Sequence, residues 1–145
     1  MVNPQINVRS VTSMDPEDIF NEMDRMYGNI TVQEYVSGPE DLDRISQMLG
    51  WCTNSKSYLA SLGVYLDIAT RNAKKCENKE LHSDMVCRKN IIKTYYDIVS
   101  DIYTACSRQA TLYLEQRKEL EEEKRLNNIQ YGRTGSYYDN RREAK

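Results

Sequence analysis

The sequence offers few side chains that could carry out a reaction. Its single histidine, His82, lies between Cys76 and Cys87, and these three residues are the only candidates for a metal site near one another. A metal site needs three or four ligands at supporting spacings such as Cys-x-x-Cys, which this sequence lacks, so we predict none. Motifs for a nucleophilic serine, a phosphate-cradling loop or a zinc hydrolase are also missing. We therefore predict a non-enzymatic protein with no catalytic residue and no cofactor.

A cluster of basic residues is the best candidate for a binding site. Residues 71–93 carry seven bases against three acids, whereas residues 1–45 carry nine acids against three bases. Either the cluster belongs to an ordinary solvated turn, or it binds phosphate groups of a nucleic acid, with Tyr95 and Tyr96 close enough to stack on bases. The predicted nucleic-acid-binding residues are Arg71, Lys74, Lys75, Lys79, Arg88, Lys89 and Lys93.

Two long amphipathic helices must position this cluster. Apolar residues recur at intervals of three and four over residues 39–76 and again over residues 85–126, which is the period of a helix that buries one face. The polar stretch Glu77–His82 predicts a turn between them, and Ser83-Asp84 predicts the cap of the second helix. A short connection between two long helices predicts an elongated antiparallel hairpin over residues 39–126.

The remaining residues predict a short helix and two extended termini. Residues 1–14 lack a helical period and predict an extended arm. Asp15-Pro16-Glu17 is a helix start and Gly28 a helix stop, which predicts a helix that buries Ile19, Phe20, Met23 and Met26 or Tyr27. The tail has no core pattern, so we predict that it is flexible alone or ordered by a partner. The predicted class is all-α, divided into residues 1–38, 39–126 and 127–145.

An aromatic row on the first long helix needs a cover. Trp51, Tyr58 and Tyr65 follow one another at intervals of seven, beside the aliphatic stripe. A two-helix hairpin buries one stripe per helix, so either the N-terminal helix folds back over this row or a second copy of the chain covers it. In the second case the chain is a homo-oligomer, and its predicted interface comprises Trp51, Tyr58, Tyr65, Tyr96 and Tyr103.

The order of these features resembles the recombination-mediator proteins of T4-like bacteriophages, the UvsY type. The resemblance covers residues 16–118 and rests on Asp18-Ile19 with Glu22-Met23, on Met48-Leu49-Gly50-Trp51, and on Tyr95-Tyr96-Asp97. It implies a ring-shaped homo-oligomer that binds single-stranded DNA and helps load a recombinase in place of single-strand-binding protein. It also implies that Arg71, Lys74 and Lys75 contact the DNA.

Two other classes of function stay open. One is a virion structural or assembly protein of the head, connector or tail, packed through its hairpin and terminal arms. The other is an adaptor with a helical binding surface. The sequence has no run of 18 apolar residues and no signal peptide, and its four cysteines lack Cys-x-x-Cys spacing. We therefore expect a protein of the host cytoplasm or the virion, neither secreted nor embedded in a membrane.

Overall fold

Two long helices packed side by side form the frame of the computed structural model, which describes residue 4, residues 6–32 and residues 36–144, with side chains up to residue 129. Its elements are an N-terminal 3₁₀ helix (Val8–Ser13), α1 (Pro16–Tyr27), α2 (Pro39–Lys75) and α3 (Lys79–Ala144). No strand occurs within these ranges, so the prediction of an all-α fold is confirmed.

The apolar stripes of α2 and α3 face each other and make most of the core. The buried positions follow the helical spacing of three and four residues; they are Ile45, Cys52, Ser55, Leu59, Leu62, Leu66 and Ala73 in α2, and Met85, Ile92, Tyr95, Val99, Ile102 and Cys106 in α3. Full burial of one Leu or Ile side chain contributes roughly 1.5–3 kcal/mol. The helices run in opposite directions, because Asp67 near the end of α2 contacts Lys89, whereas Lys56 lies beside Tyr103.

The connection between α2 and α3 is shorter than the predicted turn over residues 77–82. Glu77 takes a left-handed conformation with φ 54°, its N–H donates to the carbonyl of Lys74, and the N–H of Asn78 donates to the carbonyl of Ala73. This is the Schellman arrangement that ends many helices. Asn78 then caps α3, since its Oδ1 accepts from the N–H of Leu81 at 3.1 Å. The prediction of a cap at Ser83-Asp84 is therefore wrong.

The predicted extended arm contains a helical turn that the sequence pattern did not indicate. Val8–Ser13 forms the 3₁₀ helix, and the side chain of Asn7 caps it by accepting from the N–H of Arg9 at 3.1 Å. Val11 is fully buried against the rest of the chain. The prediction of extended backbone is wrong for these residues, because burial of one apolar side chain needs no periodic pattern. Residues 1–3 and 5 lie outside the described residues.

The distal part of α3 continues beyond α2. With 66 residues α3 is about 99 Å long, whereas α2 with 37 residues is about 56 Å long. Since the short connection aligns the end of α2 with the start of α3, α3 extends past the start of α2 and beyond its predicted end at Leu126. The side chains of residues 130–145, most of the predicted tail, lie outside the described residues. No described helix is both long and apolar enough to cross a membrane.

Candidate functional site

Three of the predicted nucleic-acid-binding lysines form a basic tip where α2 ends and α3 begins. Lys74, Lys75 and Lys79 are exposed there, and none of them makes an ion pair with another side chain of the described residues. Lys74 and Lys79 share a shallow depression with His82. Lysines in the last turn of α2 also suit the negative end of its dipole. The basic tip therefore presents three ammonium groups to solvent.

Arg88, by contrast, holds in place the N-terminal segment, which is the part of the chain from Ile6 to the end of α1. Its Nε donates to the backbone carbonyl of Met14 at 2.8 Å, and its side chain is half-buried. A charged donor to a backbone carbonyl contributes about 1.5–3 kcal/mol to stability. This predicted nucleic-acid-binding residue thus has its guanidinium group against the chain.

Lys89 and Arg71 share one carboxylate. Lys89 Nζ lies 2.8 Å from Asp67 Oδ1, and Arg71 Nη2 lies 2.5 Å from Asp67 Oδ2. The hydrogen bond from Lys89 and the neighbouring Arg71 charge lower the pKa of the Asp67 carboxyl. Asp67 therefore stays charged near neutral pH and cancels part of the positive charge at this position, while Lys93 stays exposed without an ion pair among the described residues.

An open groove runs between α2 and α3 on the side away from the N-terminal segment. Gly63, Val64, Lys93 and Tyr96 line it, and a Cβ atom added to Gly63 would meet nothing within 4 Å. Lys56 Nζ lies 5.5 Å from the ring centroid of Tyr96 and 5.4 Å from that of Tyr103. The same two tyrosines were predicted to lie at an oligomer interface, and here the ammonium group of Lys56 lies over both rings.

Sequence reasoning missed Lys56, although a signal was present. It is the only charged residue between Arg44 and Asp67. It precedes Tyr58 by two residues, which is about 200° of rotation around a helix, so it faces away from the aromatic row. Asp67, Lys89 and Lys93 also line the groove, and because Asp67 pairs with Lys89, the positive charge that remains is that of Lys56 and Lys93.

The N-terminal segment covers most of the aromatic row of α2. The ring centroids of Trp51 and Tyr27 lie 5.5 Å apart, and Tyr58 Oη donates a hydrogen bond to the carbonyl of Ile6 at 2.8 Å. Burial raises the pKa of the Tyr58 hydroxyl to about 12, with a smaller contribution from Tyr27. Tyr65 is 39% exposed. The N-terminal segment therefore folds back over Trp51 and Tyr58, which is the first of the two predicted ways to cover this row.

A second uncovered surface, the α1 face, lies between α1 and α3. It consists of Phe20, Cys87, Ile91 and Ile98, with Phe20 49% exposed and Ile98 37% exposed. The prediction that α1 buries Phe20 is wrong, because Ile19, Met23, Met26 and Tyr27 already fill the contact with the core. Glu17 and Asp24 precede and follow Phe20 by three and four residues, so they flank it on the exposed surface of α1.

The metal-ligand candidates do not form a cluster. Cys76 and Cys87 are exposed free thiols, and within the described ranges no three His, Cys, Asp or Glu side chains are grouped closely enough to hold a metal ion. Cys52 and Cys106 are buried free thiols. Burial, with a smaller contribution from Cys106, raises the pKa of Cys52 to about 11, so this thiol is a poor nucleophile.

The arrangement can thus bind anions at the basic tip and pack against other surfaces at the open groove and the α1 face. Comparison of the chain with known protein families, with curated proteins and with solved structures finds no match.

Proposed function

We propose that this chain is a non-enzymatic helical protein that assembles with copies of itself and binds single-stranded DNA at its basic tip. One observation carries the proposal: Lys74, Lys75 and Lys79 are exposed together without ion pairs among the described residues. In the proposed assembly the two-helix hairpin of α2 and α3 is the repeating unit. Its place of action is the host cytoplasm, where it helps load a recombinase, as the resemblance to the UvsY type implies.

The charge distribution supports binding of a polyanion despite the formal net charge of −2. The acids in the first turn of α2 lie at the opposite end of that helix from the tip, and Glu77 and Glu80 are the acids close to the tip in sequence. The hydrogen bond between Arg88 and Met14 places the start of α1 about 13 Å along α3 from Lys79. Phosphate binding releases counterions from DNA, so each contact adds to affinity in a salt-dependent way. Several tips in one assembly would sum their contacts along one strand.

The proposal is tested by the fluorescence anisotropy of a labelled single-stranded oligonucleotide titrated with protein at several salt concentrations. We expect the logarithm of the binding constant to fall linearly with the logarithm of the salt concentration, by about 0.7 per phosphate contact. Replacing Lys74, Lys75 and Lys79 together by Ala should lower the slope by about 2 in magnitude. The matched control replaces Lys118 and Lys124, which are exposed on distal α3, by Ala. Absence of binding by the unmodified protein at low salt refutes the proposal.

A second candidate is a virion structural or assembly protein, and distal α3 favours it. Leu120, Leu126 and Ile129 are about half exposed there, since α2 does not extend alongside them. Such a helix suits packing between neighbouring subunits of a shell or tail. Truncation after Glu119, which removes these three side chains, should then abolish assembly, measured as mass in solution, and leave the helical circular-dichroism signal of the remaining chain. Under the recombination-mediator proposal the same truncation leaves DNA binding at the tip unchanged.

A further inference from the structure

Two uncovered surfaces of this chain carry opposite charge. The α1 face presents Phe20 between Glu17 and Asp24, and the residues that line the groove beside Phe20 are all uncharged. The open groove presents Val64 beside Lys56 and Lys93. Both surfaces have exposed apolar side chains at their centre, with Phe20 49% and Val64 57% exposed.

We propose that the α1 face of one copy docks into the open groove of the next copy, with Phe20 over Gly63. This inference rests on the proposed self-assembly and assigns the surfaces that carry it. Phe20 is a projecting aromatic ring. Gly63 and Ala60 are small residues that leave a recess in the groove, and a Cβ atom added at Gly63 would meet no other atom within 4 Å. A large side chain opposite two small ones permits close packing of helices.

The spacing of the charges fits the same arrangement. Glu17 and Asp24 are seven residues apart, which is about 10 Å along α1. Lys56 lies over Tyr96 and Tyr103, so it is level with the α3 backbone halfway between them, about 10 Å along α3 from Lys93. The two carboxylates are therefore spaced along α1 as the two ammonium groups are along the groove, where Lys93 is level with Gly63 because each is four residues from the Asp67–Lys89 ion pair.

The two surfaces differ, so the contact is heterologous. Each copy uses its α1 face toward one neighbour and its open groove toward the other. Such contacts continue from copy to copy, and they form a ring where the rotation closes and a filament where it does not. The basic tip is outside the contact and stays accessible in every copy.

The test uses two variants that each disable one surface. Phe20→Lys places a positive charge on the α1 face, and Gly63→Glu fills the recess and places a negative charge in the groove. Both positions tolerate the change within one chain, because Phe20 is half exposed and Gly63 has open space beside it. Glu also has a higher helix propensity than Gly. Circular dichroism checks that both variants keep their helical content.

Mass in solution, from light scattering or sedimentation at micromolar concentration, is the readout. We expect the unmodified protein to exceed the monomer mass of 17.0 kDa severalfold, and each variant alone to fall to that mass. Mixed in equal amounts, the variants should form a pair of twice the monomer mass and nothing larger. The Phe20 side chain of the Gly63→Glu chain enters the intact groove of the Phe20→Lys chain, and both outer surfaces of the pair are disabled. The control Ser61→Glu adds the same charge outside the groove and should leave assembly unchanged.

Three outcomes overturn the docking. If both variants assemble as the unmodified protein does, the contact lies elsewhere, while self-assembly itself stands. If each variant is a monomer and the mixture stays monomeric, the contact is not head to tail between these surfaces. If Gly63→Glu weakens binding of the single-stranded oligonucleotide and leaves the mass unchanged, the groove binds nucleic acid instead of a second copy. A monomeric unmodified protein refutes self-assembly as a whole, and DNA binding at the basic tip is measured separately.

Discussion

Replacing Glu77 by Gly should stabilise the protein. Glu77 is the residue of the α2–α3 connection that adopts a positive φ, 54°, and its backbone closes the Schellman arrangement at the end of α2. Left-handed backbone brings the Cβ atom of an L-residue close to the following carbonyl oxygen, whereas glycine has no Cβ atom. The side chain of Glu77 makes no ion pair among the described residues, so its removal forfeits no such contact.

The magnitude follows from two opposing effects. Relief of the left-handed conformation gains about 1–2 kcal/mol. The greater freedom of glycine in the unfolded chain costs about 0.4–1 kcal/mol. The free energy of unfolding should therefore rise by about 0.5–1 kcal/mol for Glu77→Gly. With a urea dependence of about 2 kcal/mol per molar, the unfolding midpoint should rise by about 0.3–0.5 M.

Urea unfolding followed by circular dichroism measures this shift, with all proteins at one concentration because assembly also affects apparent stability. The matched control is Glu80→Gly, which removes the same charge from the same end of the molecule but lies in the first turn of α3. Glycine in a helix is less favourable than glutamate by about 0.5–1 kcal/mol, so this variant should lower the midpoint. If both substitutions shift the midpoint in the same direction, the assigned cost of the left-handed conformation is wrong.

Two further substitutions test contacts outside the connection. Tyr58→Phe deletes the hydrogen bond to the Ile6 carbonyl and should lower the free energy of unfolding by about 1 kcal/mol in the urea assay, whereas Tyr65→Phe, whose hydroxyl has no hydrogen bond among the described residues, should change little. Lys89 and Arg71 hold the pKa of Asp67 below its usual 3.8, so the stability that this carboxylate contributes is full near neutral pH and is lost as the pH falls through the lowered pKa. The difference in urea midpoint between the unmodified protein and Asp67→Asn should accordingly be largest near neutral pH and shrink as the pH falls below the usual pKa of an aspartate; a difference that grows on acidification contradicts the assigned ion pairs.

The features that could be predicted from the sequence are those set by local spacing. The apolar intervals identified Leu59, Leu62 and Leu66 as core residues, because a helix brings every third and fourth residue onto one face. Pro16 and Gly28 likewise mark the two ends of α1. In each case the information lies within a few residues of the element it specifies.

The start of α3 could not be placed correctly, because Asn78 and Ser83-Asp84 both have side chains that can cap a helix. α2 ends at Lys75, close to the predicted start of the turn at Glu77, although the left-handed residue there is Glu and not the usual Gly. Asn78 then starts α3 earlier than Ser83-Asp84 suggested. Phe20 had the right spacing for burial, but the contact surface of α1 is narrower than its apolar stripe.

The candidate surfaces likewise include some residues that local sequence could predict and others that depend on contacts between distant parts of the chain. Exposure of Lys74 and Lys75 follows from their place in the last turn of α2. The partner of Arg88 is a backbone carbonyl far away in the sequence, and no pattern of side chains encodes it. The open groove depends on the register between α2 and α3, which places Lys56 over Tyr96 and Tyr103.

The attachment of the N-terminal segment has a consequence for biosynthesis. Two of its hydrogen bonds to the long helices join residues 52 and 74 positions apart, through Tyr58 and Arg88. A ribosome adds about 5–20 residues per second, so the carbonyl of Met14 is made roughly 4–15 seconds before Arg88. During that interval Ile19 and Met23 have no core to enter. The first part of the chain to be synthesised is therefore among the last to fold, and a chaperone that shields short apolar segments would act on it first.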